Sequence, residues 1–269
     1  MTTPQRRSDL PALVPPPAPA EPRPPRAALM RRIEVAWLDA VGRVEETTRL
    51  VPATPAFEDA FAAFARGTLF ATDQGPVAVE DLWPGARLRL ATGGVGTLLW
   101  RGATMIVPQA EDGRGPRGVS GGAPAQDPAM TRLTRVAEGA LGPGRPAHDL
   151  VLGPRARLVR RGAGVRHLTG GEAALVLAAE LADGEWLIAL APPSPVQVFH
   201  LGLDRHERLL AQGIEVESYH PGPAHALPSR PDLLDLWLAC FPHKADVQAF
   251  GAPCLPRLSR ADLDLIEAA

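Results

Sequence analysis

Prolines and glycines interrupt this chain from end to end, at 30 and 26 of its 269 residues. Proline stops a helix and donates nothing to a sheet ladder, while glycine takes up turn conformations closed to other residues. A chain punctuated this often folds into many short elements joined by turns rather than into a helical bundle. At 45% hydrophobic residues it still has the material for a core. A net charge of -2 provides no basic field for nucleic acid or an anionic membrane, and neither is expected as a partner. No run approaches the ~20 apolar residues of a membrane span. Prolines follow Arg6 and Arg7 at once, where a secretory signal needs an apolar stretch. The expectation is a soluble cytoplasmic protein. Its two cysteines, Cys240 and Cys254, make neither a disulfide framework nor a tetrahedral zinc site by themselves.

Three regions follow from the pattern. Residues 1–28, rich in Pro, Ala and Arg, read as a disordered tail. From Arg31 onward Ile33, Val35 and Trp37 alternate with more polar neighbours, the period of a half-buried strand. Turn chemistry at Asp39–Gly42 then predicts an opening hairpin. The apolar spacing from Phe57 to Ala65 suggests a short helix. Thr68–Thr72 reads as a strand, residues 73–75 as a turn, and Glu80–Leu82 as a helical turn that stops before Pro84 and Gly85. Residues 109–130 read as a mobile loop. Further strands are expected within Leu150–Val159, Glu185–Leu190 and Val196–Leu203. The segment 170–185 fits helix or strand, its alanines favouring helix. Beyond residue 222 the character turns helical: Leu233, Leu236, Trp237 and Cys240 share one face, and Ser259 is placed to cap a last helix. The domains are therefore drawn as a tail over 1–28, a β domain over 29–222 and a helical extension over 223–269.

No phosphate-binding glycine loop, zinc-protease helix or serine-hydrolase elbow occurs in the sequence. Three other segments are distinctive together. The first runs through Phe64, Gly67, Thr68 and Thr72 to Gly75, Val77, Val79, Glu80, Asp81, Leu82, Pro84 and Gly85. The second is His148–Leu158, with Gly153, Pro154, Arg155 and Ala156. The third runs through Phe199, His200, Asp204, Arg205, His206 and Glu207 to Gly213, Glu217, Ser218, Tyr219, His220 and Gly222. In this order they resemble the opening, the internal processing motif and the closing region of Hint (hedgehog/intein-type) domains, particularly the bacterial group, across residues 60–222. The resemblance implies a mainly β, compact fold with pseudo-two-fold symmetry and an autoprocessing ancestry; peripheral helices would follow it at the C-terminus.

In active members a Cys or Ser attacks the carbonyl before it, and a histidine assists the amide nitrogen. The resemblance puts these roles at Ala63 and Ala156, with Gly153 where a hydroxyl residue is common and Ala86 where an Asp often stands. Alanine carries no lone pair for attack and no proton to exchange. Splicing usually ends in cyclisation of an asparagine, and the chain has no Asn. The resulting reading is a Hint domain degenerate in its catalytic positions and without cofactor, acting as a structural or interaction scaffold for an unidentified protein partner. The alternative is residual self-cleavage through another nucleophile, Thr68 or Ser120. A metal-dependent hydrolase built on His200, His206 and His220 is the third possibility, although their spacings fit no standard ligand motif. Asp204–Glu207 is expected to form a polar network holding the closing turns. His148 and Asp149 are read as a turn feature, Cys240 as a buried small hydrophobe, and Trp83 and Trp100 as core or rim residues.

Overall fold

The structure is a computed structural model that describes residues 29–108 and 128–268. The expected tail, most of the expected loop and Ser120 lie outside the described residues. In chain order the elements are β1 (Met30–Leu38), β2 (Val44–Pro52), α1 (Pro55–Glu58), β3 (Phe64–Ala65), β4 (Leu69–Thr72), β5 (Gly75–Ala78), β6 (Arg87–Arg89), β7 (Val95–Thr97) and β8 (Trp100–Ile106). There follow β9 (Leu133–Val136), β10 (Leu150–Leu152), β11 (Arg157–Arg161), α2 (Ala163–Thr169), β12 (Ala173–Leu177), β13 (Leu187–Leu190), β14 (Val196–Gly202), β15 (Arg208–Ala211), β16 (Ile214–Glu217), α3 (Pro231–Leu238), β17 (Arg257–Leu258) and α4 (Arg260–Glu267). The fold is mainly β, as the turn density requires.

Two sheets form. The first runs β13-β9-β10-β3-β14-β8-β1-β2, and the second β17-β12-β11-β16-β15-β4-β6-β7, with β5 paired to β4. The opening hairpin forms as expected, with Ile33 and Val35 buried and Asp39 closing the turn through bonds to the Val41 and Arg43 amides. Arg31 fixes the hairpin to α1 through its buried ion pair with Glu58. The helix read over Phe57–Ala65 is confined to the single turn Pro55–Glu58. Beyond it, Phe64 and Ala65 are drawn into the middle of the first sheet between β10 and β14. Thr68 precedes β4 rather than lying in it. The alanine-rich segment 170–185 resolves into the buried strand β12 and one helical turn at Ala178–Leu181, because β12 is hydrogen-bonded to β11 on one side and β17 on the other. Inside the expected loop, Pro128–Thr131 forms a single 3₁₀ turn.

The C-terminal region is woven into this framework. Ser259 caps α4 reciprocally with Asp262, and β17 adds a parallel strand to β12. The indole of Trp237 in α3 donates to Ala56 O (3.0 Å), and that of Trp100 in β8 donates to Cys240 O (2.8 Å). Around Trp100 lie Phe61, Tyr219 and Phe241, with ring centroids 4.9–5.6 Å away. Trp100 is thus core, whereas Trp83 is 45% exposed with the Arg101 guanidinium 4.2 Å above its ring. Cys240 is fully buried, and burial pushes its thiol up to about 11. Because Trp100 links β8 to the residues that follow α3, Trp100→Ala is expected to lower unfolding free energy by ~3–5 kcal/mol in urea titrations. A loss below ~1 kcal/mol would show that this aromatic cluster is not a cooperative part of the core.

Candidate functional site

The chain leaves α1 and enters β3 through Ala62 and Ala63, and both neighbouring segments grip it there. On one side the Ala63 amide donates to Phe199 O of β14 (3.1 Å). On the other, Ala63 O accepts from the Gly153 amide (2.7 Å) and Ala62 O from the Arg155 amide (2.9 Å). Residues 153–156 make a tight turn closed by Ala156 N donating to Gly153 O (3.2 Å), with Pro154 at its second position, where a fixed φ suits the turn. The fold therefore brings Ala63 and Ala156 together at one place. Both methyls are buried in the main core. Gly153 has no room for a side chain: a Cβ there would stand 2.4 Å from Ala62 O and 2.8 Å from Ala62 C.

Polar groups surround this point. Arg155 pairs with Asp59 (2.6 Å) on the α1 side. Glu217, at the end of β16 and 1% exposed, receives Arg157 (3.1 Å) from β11, Arg257 (2.8 Å) from β17, and His206 Nε2 at 3.0 Å. His206 Nδ1 accepts the Cys254 amide (3.0 Å), which assigns the ring proton to Nε2, facing the carboxylate. His220 stacks on His206 with centroids 4.8 Å apart. Its Nδ1 accepts from Gly222 N and its Nε2 meets Gly251 O, each at 3.0 Å, so it donates through Nε2. Arg257 also donates to His220 O (2.7 Å), and Ser218 Oγ accepts from the Glu207 amide (2.9 Å).

His200 is wedged edge-on between Phe64 (5.7 Å) and Tyr219 (5.1 Å). It is 3% exposed, and its Nδ1 has no hydrogen-bond partner among the described residues. Burial holds it neutral, with its pKa lowered to about 3; the Glu217 charge opposes the shift and those of Arg157 and Arg257 add to it. Burial also pushes the Glu217 carboxyl upward, but the His206 contact and the two arginines outweigh it and hold it below the ordinary carboxylate range.

Of the residues expected to form a closing network, His206 joins Glu217, whose other partners are remote in sequence. Asp204 contributes only its carbonyl, to Lys244 Nζ (2.6 Å). Asp81 lies in the helical turn Val79–Asp81. Gly67 turns the chain at φ +88°, and its amide is taken by Glu80 Oε2 (2.8 Å). Gly75, Gly85 and Gly213 mark further turns with positive φ. Thr68, the alternative nucleophile, is buried and donates its hydroxyl to Ala65 O (2.8 Å). Asp149 binds Arg135 and the Glu138 amide, a turn role, without engaging His148. The three closing-region histidines do not converge as a ligand set. Among the described residues no group of three His, Cys, Asp or Glu donors could hold a metal. Sequence reasoning missed Arg157 and Arg257; the only clue is that a Glu in an apolar strand needs a cation, which does not say which one.

A sequence profile of the family described as "Hint domain" matches residues 62–223. The match opens at the Ala62–Ala63 junction and closes just past His220. This chain belongs to the Hint domain family. No curated protein matches it significantly. Among solved structures it is similar to a bacterial intein-like domain from Clostridium thermocellum, at 15% identity over 59% of this chain and 99% of that one, with a TM-score of 0.38. Among the described residues no helix is long and apolar enough to cross a membrane.

Two measurements test the polar cluster. Glu217→Gln removes the buried carboxylate from two half-buried arginines, so unfolding free energy should fall by ~2–4 kcal/mol; a change within ~1 kcal/mol would remove Glu217 from its central place. The second is pH dependence. His200 titrates near 6.5 when unfolded and near 3 when folded. Between those values the unfolded chain binds the extra proton, so stability falls as pH falls from 6.5 towards 3. His200→Gln should flatten that slope by up to ~1.4 kcal/mol per pH unit, measured by urea titrations at pH 7, 6, 5 and 4. His243, also held by burial near 3, continues to titrate in the variant and leaves a residual slope. An unchanged slope would show that His200 is protonated in the folded chain.

Proposed function

We propose that this is a Hint domain without self-cleavage, retained as a structural or interaction scaffold. The observation that carries this reading is the packing of Gly153 against the carbonyl of Ala62. The resemblance places the breakable peptide between Ala62 and Ala63, a nucleophile at residue 63, an assisting histidine at 156 and a hydroxyl residue at 153. Here the two reactive positions hold methyl groups in the core, and the third holds a hydrogen that allows backbone to close on backbone. Space that chemistry would occupy is filled by packing. Attack needs a lone pair near the Ala62 carbonyl carbon, and departure of the amide needs a proton donor, a contribution worth ~10²–10⁴ in rate. His206 lies 3.0 Å from Glu217 through Nε2 and accepts the Cys254 amide at Nδ1, contacts that tie it to the polar cluster.

Intact mass spectrometry of freshly purified full-length chain tests this directly. The mass should stay at full length for days, with or without thiol or hydroxylamine and with protease inhibitors present. A time-dependent fragment starting at residue 63 would overturn the proposal. Gly153→Ser is expected to lower stability by ~1–3 kcal/mol, because the new Cβ must displace the Ala62 carbonyl. Unaltered stability in that variant, read from thermal midpoints, would mean that the backbone contact yields freely and that the site has not closed.

A further inference from the structure

β2 ends the first sheet, with β1 on one side and no strand on the other among the described residues. Its free edge can be read atom by atom. At the turn Asp39 N donates to Arg43 O, and at the far end Ala53 N donates to Leu29 O, each at 2.8 Å. The register between them pairs Leu38 with Val44 through to Met30 with Pro52. Antiparallel ladders bond at alternate residues. The odd-numbered residues of β2 therefore bond to β1, and Val44, Glu46, Thr48 and Leu50 turn their N–H and C=O groups outward. Val44 and Leu50 are also exposed, at 46% and 64%. Natural edges are commonly blunted by lysine, an internal proline or a bulge. β2 has no lysine, and its one proline, Pro52, is its last residue.

A row of unpaired main-chain groups is a template for another strand, and the sequence of β2 complements itself. In a two-fold pairing both copies must offer outward groups, so the axis passes through a residue. On Glu46 it would put two glutamates face to face, and on Arg49 two arginines. On Thr48 it would set Glu46 against Leu50. On Thr47 it sets Val44 opposite Leu50 of the second copy, Glu45 opposite Arg49, and Glu46 opposite Thr48, and every outward N–H and C=O finds a partner. Glu45 and Arg49 then form non-hydrogen-bonded pairs, in which side chains approach most closely. We propose that β2 is the pairing edge of a symmetric dimer, two copies of this chain joining antiparallel about Thr47 into one continuous sheet.

Sedimentation equilibrium of the full chain at low salt should show a monomer–dimer equilibrium. Glu45→Arg turns two attractive cross-strand pairs into repulsions and should weaken the dimer roughly tenfold or more. Arg49→Glu should do the same, and the double exchange Glu45→Arg/Arg49→Glu should restore it, which general destabilisation would not. Glu46→Pro removes an outward N–H without touching the β1–β2 ladder, and should abolish the dimer while the thermal midpoint holds. A chain that is monomeric at every concentration would overturn the proposal. So would a dimer indifferent to Glu46→Pro, or a double exchange that fails to restore association.

Discussion

One buried carboxylate ties the parts of this fold together. Glu217 ends β16, yet its charge is answered by Arg157 from β11, Arg257 from β17 and the ring of His206. Taking an ionised group out of water is costly, and only close, multiple partners offset the cost. Each partner must therefore be in place for the others to be tolerable. Through Arg257 and the Cys254 amide on His206, the network reaches into the last twenty residues and makes them part of the β framework. A slipped strand would leave a buried charge alone, an arrangement that costs several kcal/mol.

Beside it, the centre of the first sheet is apolar. β3 is only two residues long, yet the chain entering it bonds to β14 on one side and to the 153–156 turn on the other. That contact is possible because residue 153 has no Cβ. Next to it in sequence, Arg155 pairs with Asp59 and Arg157 with Glu217. The methyls of Ala63 and Ala156 pack in the main core here, and residue 153 is a glycine against the Ala62 carbonyl.

The two ends of the structure are joined differently. The N-terminal hairpin is held by Arg31 on Glu58, and the C-terminal helices by indole bonds from Trp100 and Trp237 within a cluster of aromatic rings. Both attach to the short segment around α1, so the residues just ahead of β3 carry load from both ends of the chain. The hairpin's outer strand keeps an open edge, which makes it the part of the first sheet most disposed to meet another strand.

Signals that depend on near neighbours were legible in the sequence alone. The alternation in β1, the Asp39 turn, the Ser259 cap, the glycine turns and the mainly β character all rest on backbone geometry within a few residues. The three ordered segments also pointed to the Hint family, whose profile matches residues 62–223. The tertiary structure alone decided what required distant partners. Helical spacing over Phe57–Ala65 lost to sheet pairing once β10 and β14 supplied hydrogen bonds on both sides. The alanine-rich β12 became strand because β11 and β17 flank it. Arg157 and Arg257 look like any other arginines until Glu217 lies between them, 60 and 40 residues away. Local propensity amounts to tenths of a kilocalorie per residue, whereas a buried charge or an unpaired buried amide costs several times more, so long-range satisfaction of polar groups prevailed wherever the two disagreed.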